Sequence, residues 1–141
     1  ALYSRRVSSP SLLALRTLAA GAAAVAILGS GCASGERQSA EATVRLAARA
    51  IVDVETSGGE VPELEEAVQR AHDWLGPAET AIELWDEGGP AGYRRVAPCL
   101  GASLTEIRLA LLEAGRPVPA ELEQAEEQAH AAGPRPCSGG G

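Results

Sequence analysis

The sequence predicts an all-α chain: two antiparallel helical hairpins forming a small irregular four-helix bundle, preceded by a helical signal segment. Three observations carry this prediction. In four separate stretches apolar residues recur at alternating spacings of three and four, which is the mark of a helix with one buried stripe. No stretch alternates with period two for long enough to make a strand. The breaks between stretches are short and built on Gly and Pro, so consecutive helices must run antiparallel.

The first element is the stretch from Arg5 to Cys32. Arg5-Arg6 is followed by an uncharged run from Thr17 to Gly31, 15 residues long, and then by Cys32. A basic start, a short apolar core and a small-residue exit make an export signal. Crossing about 30 Å of hydrocarbon takes about 20 apolar residues, so the run is short for an anchor. Residues 1–31 are therefore read as the signal and 32–38 as a tether. The exit, Leu28-Gly29-Ser30-Gly31-Cys32, resembles the lipobox of bacterial lipoproteins. That resemblance implies lipidation of Cys32 and a lipid-anchored place in the bacterial cell envelope, facing the periplasm or the outside. Leu28 stands four residues before the cysteine, where three is usual. Gly31 and Ala33 also make a small-x-small site, so cleavage after Ala33 stays open. Ser4-Arg5-Arg6 is similar to the start of a twin-arginine signal, but Ser8-Ser9 replaces the hydrophobic pair that usually follows.

Residues 32–141 number 110, the size of one domain. Nine arginines stand against 19 acids there, a formal charge of −10. Such a surface repels nucleic acid and anionic lipid, so a protein or cell-wall partner is expected and no nucleic acid.

Within the bundle domain, 39–132, Ser39 is the expected N-cap of the first helix. Its stripe is Ala40, Val44, Ala47, Ile51 and Val54, ended by Thr56-Ser57-Gly58-Gly59. The second helix opens at Val61-Pro62, with Glu63, Glu65 and Glu66 behind. Its stripe runs Val61, Leu64, Val68, Ala71, Leu75, Ala78, Ile82, Trp85 and keeps phase across Gly76-Pro77. An internal proline costs about 3 kcal/mol. An independent helix would have no reason to hold the phase, so one helix is expected from Pro62 to Asp86, kinked near Gly76.

After Gly88 to Gly92 the third helix carries Tyr93, Val96, Leu100, Leu104, Ile107, Leu111 and Ala114. Pro98 marks a kink or the true start, and Gly115 is the expected C′ residue. The last helix opens at Pro119, with Val118, Leu122, Ala125, Ala129 and Ala132 on its stripe. Residues 133–141 are read as a flexible tail. The stretch Glu63 to His72 aligns without gaps on Glu121 to His130, identical at six of ten positions and preceded by Val-Pro in both. Duplication of a hairpin and the common look of acidic helix starts explain this equally well.

If Cys32 carries lipid, Cys99 and Cys137 remain as an even pair in an oxidising compartment. Lengths favour a disulfide between them. The third helix climbs 15 steps from Cys99 to Ala114, about 22 Å, and the last descends 13 steps from Pro119 to Ala132, about 20 Å. That returns the chain to the level of Cys99.

The sequence holds no nucleophile motif, phosphate-binding loop or metal-ligand cluster, so no enzyme, catalytic residue, metal or cofactor is expected. His72 and His130 are solitary, and Glu121, Glu123, Glu126 and Glu127 read as a solvated face. Trp74 and Trp85, eleven apart, project the same way; Trp85 belongs to the stripe, while Trp74 is a possible partner contact. Three functions are weighed. The first is an envelope lipoprotein with a structural or protein-interaction role. The second is a lysis lipoprotein, since size and anchor resemble the outer-membrane spanins of bacteriophages. The third is a periplasmic small-ligand-binding domain, which would need a pocket with converging polar groups.

Overall fold

A computed structural model describes residues 35–57, 59–133 and 137; the signal segment and Cys32 lie outside the described residues. Four long helices and one single-turn helix make up the fold, and no strand occurs among the described residues.

Helix α1 covers 35–57 and buries Ala40, Thr43, Val44, Ala47, Ala50, Ile51 and Val54. Ser39 is not its N-cap, and residues 35–38 are helix rather than tether. Nothing from Glu36 to Gln38 breaks a helix. Three ion pairs, Glu36–Arg94, Arg37–Glu41 and Arg37–Asp86, hold this extra turn in place. At the other end Thr56 and Ser57 return their hydroxyls to carbonyls of the preceding turn.

Helix α2, Pro62–Glu83, begins with proline at its first position and passes through Gly76-Pro77 unbroken. Leu64, Ala67, Val68, Ala71, Leu75 and Ala78 are buried on one face. The helix stops three residues short of Asp86. Leu84 leaves helical geometry at φ −88°, ψ 12°, and a one-turn helix α3, Trp85–Gly88, follows. Ile82 and Trp85 keep the phase but are only half-buried against the core. The break lets Trp85 pack beside Tyr93, ring centres 6.2 Å apart, while Leu84 faces solvent.

Helix α4, Ala91–Glu113, is the central one, packing against α2 on one side and α5 on the other. Pro98 is neither start nor stop; it sits buried inside the helix. The helix ends in a Schellman motif: the Arg116 N–H donates to the Leu111 carbonyl and the Gly115 N–H to Leu112, with Gly115 at φ +67°. Ala114 was expected on the buried stripe but is the exposed C-cap, because the motif turns the chain away there. Helix α5, Ala120–Ala131, buries Leu122, Ala125 and Ala129.

Cross-links between named residues fix the directions. Glu36 meets Arg94 at the start of α1 and α4, and Arg116, just past α4, donates to the Ser57 carbonyl at the end of α1. These two helices are parallel. Arg70 pairs with Glu106 while Ala81, late in α2, meets Gly92 at the start of α4, so α2 is antiparallel to α4. Arg108 pairs with Glu126 while Gly133, just past α5, meets Arg94, so α5 is antiparallel to α4. It is hence antiparallel to α1, which it touches through Thr43 and Gln128. The result is an up-down-up-down bundle of two hairpins. Its centre holds Ile51, Leu100, Leu104, Ile107 and Leu122, all at 0% exposure. Each such side chain contributes about 1.5–3 kcal/mol by burial. Alanines fill much of the remaining interface, so the helices meet with little side-chain bulk between them.

Candidate functional site

Of the residues singled out in the sequence, Cys99 and Cys137 are joined in a disulfide, Cα atoms 4.6 Å apart. Cys99 is buried in the first half of α4. The chain returns to it along α5 by three close approaches. Arg108 holds Glu126; Thr105 meets the ring of His130, which covers Gly101; and Gly133 lies against the Arg94 carbonyl and Pro98. The segment read as a flexible tail is thus pinned at Cys137, and residues 134–136 and 138–141 lie outside the described residues.

Trp74 is half-buried and packs on the core, so part of its ring serves the bundle. His72 bonds Glu55 of α1, and His130 bonds Thr105 of α4. Each histidine therefore contacts the first helix of its own hairpin. Leu64, Ala67 and Ala71 are buried, as are their counterparts Leu122, Ala125 and Ala129, so the two aligned segments play the same part in packing. Among the described residues no three His, Cys, Asp or Glu side chains gather as a metal site would need. None of the described helices is long and apolar enough to cross a membrane.

A polar constellation that the sequence did not reveal lies where α1 and α4 begin and α5 ends. Tyr93 is 2% exposed, and its hydroxyl has no hydrogen-bond partner among the described residues. Burial raises its pKa above the ordinary tyrosine value; the neighbouring Thr43 hydroxyl pulls the other way without reaching hydrogen-bonding geometry to Tyr93. Thr43, itself buried, faces the Ser39 carbonyl and Gln128 Oε1, each at 2.9 Å. Beside these residues is a cleft of about 310 Å³, with Ala40, Ala131 and Ala132 among its walls. Glu36, on its rim, is held by the Arg94 guanidinium in two bonds of 2.7 and 2.9 Å, which neutralises the carboxylate. One signal in the sequence pointed here: a tyrosine on a buried stripe carries a hydroxyl that must be accommodated.

The outer surface is dominated by acid. Arg37, Arg70, Arg94 and Arg108 are engaged in ion pairs, whereas Glu63, Glu65, Glu79 and Glu83 of α2 and Glu123 and Glu127 of α5 make none among the described residues. Leu109 and Leu112, one helical turn apart on α4, are 49% and 54% exposed. Comparison with family models, with curated proteins and with solved structures finds no match to this chain.

Proposed function

We propose that the protein is a lipid-anchored lipoprotein of the bacterial envelope, exported by residues 1–31, held by lipid on Cys32, and acting through protein interaction rather than catalysis. The observation that carries the interaction role is the unpaired acid on the outer faces of α2 and α5. Four of the eight described arginines are spent inside the bundle's own ion pairs, and the described acids outnumber the arginines, so an acidic surplus is left to solvent. Such a surface draws in a basic segment of another protein, and the attraction falls as salt screens it.

Two measurements test the two halves. Cells expressing wild type or Cys32→Ala are fed an alkyne fatty acid and fractionated. Label and membrane retention are expected for wild type alone, because several acyl chains anchor where one binds only marginally. Equal labelling of the variant rejects the anchor. For the interaction, a photo-crosslinking residue replaces Glu79 or Glu123 in intact envelopes. A discrete protein adduct that fades as salt is raised supports the reading; no adduct from either position, or one indifferent to salt, rejects it.

A further inference from the structure

The cleft beside Tyr93 does not follow from an anchored acidic surface, and its chemistry is specific. A buried hydroxyl without a partner costs about 1–3 kcal/mol. A single bridging water would be the usual remedy, but the hydroxyl is closed to water as the side chains stand, and where one water takes about 30 Å³ the cleft beside it has about 310 Å³. That volume is at the lower edge of the range for small-molecule pockets, about 300–1,000 Å³.

Apart from Glu36 on the rim, the polar groups around it are uncharged. Tyr93 stays protonated at neutral pH, because burial opposes the phenolate, so it offers a donor. Thr43 has one hydrogen for two acceptors, the Ser39 carbonyl and Gln128. When that hydrogen goes to Ser39, the Gln128 amide is free to turn. The hydroxyl of Tyr93 is closed to bulk water, and half-buried Gln128, bonded to the neighbouring Thr43, is the movable group beside it. The rim carboxylate is already neutralised by Arg94, so no unpaired charge faces the cleft from Glu36. Ala131 and Ala132 supply methyl-sized apolar wall.

We propose that the cleft formed by Thr43, Tyr93 and Gln128 binds an uncharged acetamido group, with Gln128 as its movable wall. The ligand carbonyl accepts from the Tyr93 hydroxyl, its N–H donates to Gln128 Oε1, and its methyl packs on Ala131 and Ala132. Acetylated amino sugars and acetylated peptides both carry this group, and the probes separate them.

The chain has two tyrosines, Tyr3 and Tyr93, so tyrosine labelled with 13C at Cζ reports on the cleft directly. Full-length protein in detergent micelles, with Tyr3 assigned through Tyr3→Phe, is titrated with N-acetylglucosamine, with an N-acetylated alanine amide, with glucose and with acetate. A saturable shift of the Tyr93 signal by one or both acetamides, and by neither glucose nor acetate, is expected; the acetamide that binds identifies the source. Tyr93→Phe, followed through the Gln128 side-chain amide, should bind at least about tenfold more weakly, the loss of one hydrogen bond. That variant removes an unpaired hydroxyl and should melt no lower than wild type, which separates lost binding from lost fold. No saturable shift from either acetamide, an equal shift from glucose, or undiminished binding in Tyr93→Phe overturns the proposal, as does a crystal structure grown with either acetamide that shows water alone on Tyr93.

Discussion

Gly133 lies against the carbonyl oxygen of Arg94, so close that a Cβ on it would sit 2.5 Å from that oxygen and 2.8 Å from Pro98 Cγ. The two facts are linked through Pro98. A proline has no N–H, so Pro98 leaves the Arg94 carbonyl without its usual partner one turn on. The returning chain comes in over that part of α4 on its way to Cys99. Only a residue without a side chain fits there.

Gly133→Ala should therefore destabilise the domain by about 1–3 kcal/mol, since backbone oxygen and a buried proline ring cannot yield as a flexible side chain would. Gly88→Ala, where a Cβ meets nothing within 4 Å, is the control and should be neutral or slightly stabilising. Urea midpoints of the two variants check this; equal midpoints would refute the close approach.

Reduction of the Cys99–Cys137 bond, or Cys99→Ser with Cys137→Ser, should cost about 4 kcal/mol for a loop of 38 residues by the chain-entropy relation. Hydrogen exchange should then quicken first in α5, whose buried stripe is a single leucine and alanines. Unchanged exchange in 120–131 after reduction would show that α5 docks without the bond.

Pro77→Ala should stabilise α2. It restores one backbone hydrogen bond to the Asp73 carbonyl at an exposed position inside a continuous helix, for a gain of about 2 kcal/mol after the entropy that proline removes from the unfolded chain. A lower melting temperature would mean that the proline shapes α2 in a way the rest of the bundle requires.

Tyr93 makes the fold sensitive to alkali in a defined direction. Its pKa is raised in the folded state by burial, so the folded chain holds the proton that the unfolded chain loses above about 10. Stability should be full below that pH and fall as pH rises from there through the folded-state value. Tyr93→Phe should flatten this decline, measured as the urea midpoint against pH. Tyrosinate absorbance of the folded protein should lag that of a free tyrosine.

Periodicity carried most of the fold. The unbroken phase from Leu64 to Ala78 outweighed the local stop signal of Gly76-Pro77, because a buried stripe reports tertiary packing whereas a proline reports one lost bond. The cap at Ser39 failed for the opposite reason. Cap chemistry is local, and here ion pairs from Arg94 and Asp86 extend the helix past it. Helix lengths alone brought Cys137 back to Cys99. The cleft was not legible, since Thr43, Tyr93 and Gln128 come from three helices, and Thr43 and Gln128 stand beside the apolar stripes rather than on them. The early end of α2 at Glu83 was equally hidden, because Leu84 and Trp85 divide between solvent and core only once α4 is in place.

Because α1 and α4 run parallel and α5 runs back, the described chain enters the bundle at Glu36 and leaves it near Cys137 at the same end. A pull applied through the two ends would therefore reach α4 at Cys99 through the disulfide, bypassing residues 100–136 altogether. Helix α5 lies inside a covalent loop and carries no load. The tension falls instead on α1, α2 and the first turns of α4, and the first contact to feel it is the Glu36–Arg94 pair.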